Sequence, residues 1–264
     1  MIEHYFRPDS TAQALELMQQ YIGTATWFAG GSKLNATPSK TDKTVAISLD
    51  NLAFDNIEQL DDAIHIGATC KIQHLIDNEL VPVALKQSAS FIYSRHVRNQ
   101  ATLGGEIAAL QTEARMIPSL IALKARVVLA DDRECDVEEY IAIDARDLIV
   151  KVIIPDVNLN CIGYNISRSA AGLAVVTAAV SVDSQGNKVI ALDGVSPLHN
   201  GAAKPIRLRD VESQNLKGEL LEEAVADAVH PVADIIGSAE YKRYIAGVVV
   251  ADLLTECQLL AEEA

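Results

Sequence analysis

The sequence has few cysteines, and the four that it has lie far apart. Cys70, Cys135, Cys161 and Cys257 form no C-x-x-C pair. Structural zinc and iron–sulfur clusters need several clustered ligands, so we expect no metal site on this chain. A disulfide framework is not expected either, because a chain of this length can bury a sufficient hydrophobic core. The pattern therefore predicts reduced thiols and a cytoplasmic location.

Basic residues and long apolar runs are also scarce. The chain has 22 lysines and arginines against 36 aspartates and glutamates, and its formal net charge is -14. Such a charge disfavours nucleic acid or an anionic membrane as a partner. No stretch reaches the roughly 18 apolar residues of a membrane span, and residues 1–7 do not resemble a signal peptide. We therefore expect no nucleic-acid partner, no membrane partner and no secretion signal.

The patterns that are present predict a mixed fold. Ser10, with Gln13 three residues later, indicates the start of a helix. Alternation over 63–68 predicts a half-buried strand, and the polar segment 183–187 predicts a hairpin loop. Strands come in runs and alternate irregularly with helices, which is typical of the α+β class.

A linker-like segment at 155–158 divides the predicted fold in two. The first domain, 1–158, is expected to contain mixed sheets and helices in two subdomains, about 1–55 and 56–158. The second and smaller domain, 159–264, is expected to consist of an antiparallel sheet and helices.

The first candidate binding segment is a pair of glycines after a predicted strand. Thr26-Trp27-Phe28 predicts the strand, and Ala29-Gly30-Gly31-Ser32-Lys33-Leu34-Asn35 follows it. Such glycines let the backbone approach a ligand closely, and exposed N–H groups can hold phosphate oxygens. The spacing matches neither G-x-G-x-x-G nor a Walker loop, so a tight structural turn is the alternative.

Two further segments combine arginine with hydroxyl groups or glycine. Arg95-His96-Val97-Arg98-Asn99-Gln100-Ala101-Thr102-Leu103-Gly104-Gly105-Glu106 is interpreted as a second glycine loop that recognises an anion, or else as a solvated basic turn. Asn165-Ile166-Ser167-Arg168-Ser169-Ala170-Ala171-Gly172 either contacts an anion or is a polar loop between strands.

No set of catalytic side chains is evident. The six histidines form no H-E-x-x-H motif, G-x-S-x-G is absent, and no cysteine has the setting of a nucleophile. Any chemistry is therefore expected to come from a cofactor.

The two glycine loops resemble those of the FAD-binding subunit of molybdenum hydroxylases, a family that includes xanthine dehydrogenase and aerobic carbon monoxide dehydrogenase. Its loops read A-G-G-[TS]-x-L and I-R-N-x-[AG]-T-[IL]-G-G-[NS]. The matching segments here are 28–34 and 97–108. Three more segments are similar to the family in the same order, namely 5–10, 166–169 and 237–243.

The resemblance implies that segment 28–34 wraps the FAD diphosphate with backbone N–H groups. Segment 102–106 should meet the diphosphate and ribityl region from the other side. Ile92, Ile149 and Asn165 fall where the family has residues near the flavin. The implied FAD-binding residues are Phe28, Ala29, Gly30, Gly31, Ser32, Lys33, Leu34, Ile92, Thr102, Leu103, Gly104, Gly105, Glu106, Ile149 and Asn165.

Some residues depart from the family pattern. Glu106 replaces the usual Asn or Ser, Arg115 replaces an Asp, and Asn165 replaces a common Lys. Segment 110–112 replaces a stretch of small residues with Ser/Asp-Pro. A carboxylate near a diphosphate is unfavourable unless it turns away, binds a ribose hydroxyl or is paired. We therefore expect Glu106 and Arg115 to form an ion pair beside FAD.

The functional expectation follows from the resemblance. It implies an oxidoreductase component that carries electrons through FAD, from two-iron two-sulfur clusters on a small subunit to NAD or another acceptor. Substrate oxidation would occur on a molybdopterin-binding large subunit. The alternative is a non-catalytic assembly or interaction subunit that kept the fold with weak or lost FAD binding. An independent flavin oxidase ranks last, because no acid or base for a substrate can be named.

Overall fold

The structure is a computed structural model that describes residues 2–36, 41–109, 114–142, 147–199 and 202–263. Its strands are β1 His4–Phe6, β2 Ala25–Phe28, β3 Val45–Ser48, β4 Ile57–Leu60, β5 Ala63–Gly67, β6 Arg126–Leu129, β7 Glu134–Asp136, β8 Ile149–Ile154, β9 Asn160–Ser167, β10 Ala174–Val182, β11 Lys188–Asp193, β12 Leu198–His199, β13 Ala202–Ala203 and β14 Ile206–Arg207. Its helices are α1 Thr11–Gln20, α2 Ser32–Ala36, α3 Ile72–Asp77, α4 Val83–Ser90, α5 Arg95–Gln100, α6 Leu103–Ala108, α7 Ile117–Ala122, α8 Val137–Ala142, α9 Arg209–Glu212, α10 Glu219–Ala228 and α11 Ala239–Glu263.

The N-terminal part of the chain forms a parallel sheet in the order β1-β3-β2. Helix α1 connects β1 to β2, and Ser10 caps it as predicted by accepting a hydrogen bond from the Gln13 N–H at 3.2 Å. Gln13 Oε1 accepts a hydrogen bond from the Asp9 N–H at 2.9 Å. The side chains of Ser10 and Gln13 therefore each satisfy a backbone N–H at the start of the helix. A small apolar core, which includes Ile47 and Leu148, packs against this sheet.

The middle sheet is antiparallel and has the order β4-β5-β8-β6-β7. The strand predicted over 63–68 is β5, whose side chains at Ile64 and Ile66 are buried. Helices α3, α4, α6 and α7 contribute to the core against it, with Leu75, Leu85 and Ile107 fully buried. Because α6 belongs to this core, the second glycine pair is held by the middle sheet.

The C-terminal sheet is also antiparallel, in the order β14-β11-β10-β9. The predicted hairpin loop joins β10 to β11, where Asp183 accepts the N–H groups of Gln185 and Asn187 at 3.0 and 2.9 Å. Helix α11 packs on the sheet and α10 packs on α11, around a second large core. These sheets and helices confirm the α+β class that the sequence predicts. Among the helices in the described ranges, none has both the length and the apolar character needed to cross a membrane.

Two segments that were predicted as loops are short helices, α5 and α6. Ser94 accepts the Val97 N–H at 3.4 Å, and Thr102 accepts the Gly105 N–H at 3.2 Å, so a side chain caps each helix. Glycine within a six-residue segment argues against a helix by propensity alone. The cap and the burial of Leu103 in the core outweigh that preference.

The two predicted domains share a packed surface. Helix α7 contacts β10 and β11, and Ser181 Oγ donates a hydrogen bond to the Ala122 carbonyl at 2.7 Å. Val189 and Ala191 of β11 belong to the same core as the middle sheet. The division of the chain at residue 158 stays a prediction.

Candidate functional site

The two glycine pairs, which are distant in sequence, meet in space. A Cβ placed on Gly30 would overlap the carbonyl oxygen of Gln100, at the end of α5. A Cβ placed on Gly104 would lie 2.7 Å from the Cβ of Ala68, just after β5. The absence of a side chain at Gly30 therefore lets the first segment pack on the end of α5, and its absence at Gly104 lets α6 pack on the chain after β5.

A cavity of about 410 Å³ opens where the segments meet. Small-molecule sites typically measure about 300–1,000 Å³, so the cavity has an appropriate size for part of a large cofactor or for a small ligand. Most of the residues predicted to bind the cofactor line it. These are Ala29, Gly30, Gly31, Ser32, Lys33, Leu34, Thr102, Gly104, Gly105, Glu106 and Ile149.

The other four predicted residues lie outside the cavity lining. The ring of Phe28 makes an edge contact with Tyr5, with ring centroids 5.5 Å apart. Leu103 is fully buried in the large core, and Ile92 packs at its margin. Asn165 Oδ1 accepts a hydrogen bond from Thr177 Oγ1 at 3.0 Å, between β9 and β10. Contact of these four residues with FAD stays a prediction.

Other lining residues were not among the predicted FAD-binding residues, although Ala101 and Ala108 lie in the matching segment 97–108. They are Thr26, Trp27, Thr41, Asp42, Lys43, Leu49, Ala68, Ala101, Ala108, Ala109, Asp147 and Leu148. Trp27 and Leu148 directly adjoin predicted site segments, so proximity in sequence was a usable signal for them. Residues 41–43 reach the cavity by preceding β3, which lies beside β2, and nothing in their composition indicates it.

The two segments differ in the backbone donors that they offer. In α6, the Leu103 N–H donates to the Cys70 carbonyl at 3.0 Å and the Gly104 N–H donates to the Ala68 carbonyl at 2.8 Å. In α2, the first intrahelical bond runs from Asn35 to Gly31 at 2.8 Å. The N–H groups of residues 32–34 come before that bond, where a helix has no carbonyl to offer. Of the two segments, the first is therefore the one with backbone N–H groups that precede the first intrahelical bond.

The prediction of an ion pair between Glu106 and Arg115 is wrong. The Glu106 side chain is only 2% exposed, and its Oε2 lies 3.6 Å from the Nζ of Lys33. Arg115 instead donates to the carbonyl of Phe91 and, at 2.9 Å, to the carbonyl of Gly172. Arg115 thus lies near the end of α4 and the β9–β10 turn. Its guanidinium therefore ties those two backbone segments together.

Replacing Arg115 by alanine is expected to lower the free energy of unfolding by roughly 2 kcal/mol, because two carbonyls lose a charged donor. Chemical denaturation of the apo protein measures this. Arg126→Ala is the matched control: its guanidinium pairs with Glu134 at 3.2 Å but is 46% exposed, so its loss should cost under about 1 kcal/mol. A selective loss of FAD affinity in Arg115→Ala, without lower stability, would contradict the assignment.

The third candidate segment consists of the end of β9 and the exposed turn after it, and none of its residues lines the cavity. Ser167 Oγ donates to the Ser169 carbonyl at 2.8 Å, and the Gly172 N–H donates to the same carbonyl at 2.9 Å. These local hydrogen bonds support its interpretation as a polar loop. Segment 110–112, where the sequence departs from the family, lies outside the described residues.

The cysteines lack the environment of reactive thiolates. Burial raises the pKa of the Cys70 thiol to about 12 and that of Cys257 to about 11. Burial also raises the pKa values of Cys135 and Cys161. All four are therefore protonated near neutral pH. Within the ranges that the structure describes, no three histidine, cysteine or carboxylate side chains are grouped so as to hold a metal ion.

A cavity of this size between two glycine-bearing segments, lined by residues 32–34 at the start of α2, is typical of a protein that binds a cofactor. Residues 1–157 match the family described as "FAD binding domain in molybdopterin dehydrogenase". The chain belongs to this family, as the resemblance predicted, and is an oxidoreductase component with FAD as its cofactor.

Curated relatives match along the chain. "Uncharacterized protein YgfM" of Escherichia coli K12 is 51% identical over 264 residues, covering 100% of both chains. "6-hydroxypseudooxynicotine dehydrogenase complex subunit alpha" of Paenarthrobacter nicotinovorans is 28% identical, covering 91% of this chain and 89% of the relative. "Nicotinate dehydrogenase FAD-subunit" of Eubacterium barkeri is 26% identical, covering 69% of this chain and 70% of the relative. Named relatives thus include subunits of dehydrogenase complexes.

Solved structures share the fold. A carbon monoxide dehydrogenase chain from Hydrogenophaga pseudoflava superposes with a TM-score of 0.87 at 22% identity, covering 98% of each chain. A chain of the reconstituted CO dehydrogenase from Oligotropha carboxidovorans gives 0.84 at 20% identity, again covering 98% of each. The likeness covers both the FAD-binding part and the C-terminal sheet, and it confirms the predicted fold class.

Proposed function

We propose that this chain is the electron-transfer subunit of a molybdenum hydroxylase-like complex, and that FAD binds in the cavity between the two glycine segments. The observation that carries the proposal is the meeting of residues 29–34 and 102–106 at one cavity in a chain of the FAD-binding family. FAD supplies the redox chemistry when bound, and the protein supplies its position and electrostatic surroundings.

The residues of the cavity fit this cofactor. Gly31 has a φ of +67°, a left-handed conformation that orients the start of α2 and favours glycine. The N–H groups of residues 32–34 are the proposed donors to the diphosphate. Ile149 and Leu148 supply apolar surface in the lining, which suits an isoalloxazine ring.

The proposed partners are a small subunit with two-iron two-sulfur clusters, which delivers electrons, and a molybdopterin-binding large subunit. NAD or another small acceptor is the proposed destination of the electrons, and the cytoplasm is the proposed location. The printed names of the relatives support an assembly, since two of them are called subunits. Affinity capture of the tagged chain, followed by mass and absorbance spectra, identifies the partners and their cofactors together.

One FAD is expected to bind to each chain. The purified chain, saturated with FAD, desalted and then denatured, should release about one molar equivalent that chromatography identifies as FAD rather than FMN. Finding no flavin, and no binding in a titration, would overturn the proposal. Capture of partner subunits by a flavin-free chain would then favour the assembly role.

A further inference from the structure

A nearly buried carboxylate lies in the wall of the proposed cofactor cavity. Glu106 is the fourth residue of α6 and lines the cavity with 2% of its side chain exposed. A carboxylate in such surroundings repels an anionic ligand, and partial burial strengthens the repulsion. Its ion-pair partner is Lys33, the second residue of α2, at 3.6 Å.

The ion pair with Glu106 leaves the Lys33 ammonium able to donate hydrogen bonds to a ligand. A separation of 3.6 Å between nitrogen and oxygen is an electrostatic contact but too long for a hydrogen bond. A lysine ammonium has three N–H donors. The side chain is 32% exposed and lines the cavity two residues after Gly31. An acceptor in the cavity can therefore take these donors while Glu106 keeps its counter-charge.

The remaining charged groups of the described lining are Asp42, Lys43 and Asp147. The Lys43 ammonium already donates to the Gly23 carbonyl at 2.7 Å. Asp147 accepts a hydrogen bond from Arg133 at 2.7 Å. Of the two lysines in this lining, Lys33 is thus the one whose ammonium donors are not already used in a hydrogen bond to the described protein.

We propose that Lys33 has two roles in this chain: it donates to the cofactor diphosphate, and it neutralises Glu106 so that a carboxylate can remain in the cavity wall. The inference rests on the proposed function, because it assumes that FAD occupies this cavity. It also accounts for Glu106 at a position where the family usually has Asn or Ser. The compensating charge comes from the first glycine segment rather than from Arg115.

The test is a double-mutant cycle on the FAD dissociation constant, measured by titrating the apo chain. Lys33→Met should weaken FAD binding about 10- to 100-fold, the range for a lost hydrogen bond to a charged group. Glu106→Gln should leave the affinity equal or higher. The double variant should recover at least about a third of the loss in binding free energy, as expected for interacting neighbours. Lys33→Arg should stay within about threefold of the wild type.

Two controls make the outcome specific. Lys124→Met changes the net charge equally and removes an ion pair with Asp183 at 3.3 Å, outside the cavity lining, so it should not change FAD affinity. Thermal melting of each apo variant tests whether the fold is retained. Wild-type chain that binds no FAD would overturn the proposed function. If the wild-type chain binds FAD but Lys33→Met binds it with unchanged affinity, this inference alone is overturned. The same holds if the effects of Lys33→Met and Glu106→Gln on the binding free energy are strictly additive.

Discussion

Replacing Gly30 by alanine is expected to destabilise the chain strongly and to abolish FAD binding with it. The new Cβ would overlap the Gln100 carbonyl oxygen and lie 2.6 Å from the carbonyl carbon. Both atoms belong to backbone at the end of α5, so no side chain can turn away to relieve the contact. Forcing an extra carbon into such packing costs roughly 3 kcal/mol or more. The segments must separate, and the cavity between them changes shape.

Denaturant unfolding of the apo variant measures the loss, and FAD titration measures the binding. Gly186→Ala is the matched control, because its φ is +81° in the β10–β11 turn and nothing lies within 4 Å of the added Cβ. That substitution should cost only about 1–2 kcal/mol of backbone strain and leave FAD affinity unchanged. Equal destabilisation by the two substitutions would show that the two glycine segments do not pack as the structure has them.

Much of the fold could be predicted from the sequence because local sequence patterns agree with the burial of side chains in the structure. Ser10 and Gln13 cap α1 as their spacing predicts, and the alternation of β5 matches its buried face. Helices α5 and α6 were missed because α5 is almost entirely polar and α6 contains two adjacent glycines. Their stability comes from the caps at Ser94 and Thr102 and from packing against other elements, which local sequence patterns do not show.

The candidate site was predictable to a different extent. Its glycine segments could be found through the resemblance, and the structure brings most of the implied residues to one cavity. The partner of Glu106 could not be found by scanning nearby sequence, since Arg115 is close in the chain while Lys33 is close in space. Ion pairing depends on how α2 and α6 are juxtaposed, and that juxtaposition depends on tertiary packing at Gly30.

The two glycines of the first segment therefore have different roles. Gly30 provides close packing of one backbone on another, whereas Gly31 provides a left-handed turn into α2. A Cβ on Gly31 would meet side-chain atoms of Phe28 and Asn35, at 2.5 and 3.0 Å, rather than fixed backbone. Side chains can shift, so a substitution at Gly31 should be far less damaging to the fold.

Gly31→Val is accordingly expected to weaken FAD binding about 100-fold or more while the apo chain stays folded. Valine disfavours a φ of +67°, so the turn relaxes and the N–H groups of residues 32–34 change direction. Losing two hydrogen bonds to a charged diphosphate accounts for a change of that size, since each contributes about 1.5–3 kcal/mol. The apo protein should lose only about 1–2 kcal/mol of stability, the cost of the strained backbone.

The comparison of Gly31→Val with Gly186→Val separates binding from strain. Both positions have a positive φ, but Gly186 lies outside the cavity lining, so its valine variant should lose similar stability and keep its FAD affinity. Isothermal titration with FAD and thermal melting of the apo proteins measure the two quantities independently. If both variants bind FAD as the wild type does, the first glycine pair is a structural turn only. The diphosphate would then need donors other than the backbone of α2. The N–H groups of Leu103 and Gly104 in α6 could not supply them, because both are already bonded within the chain.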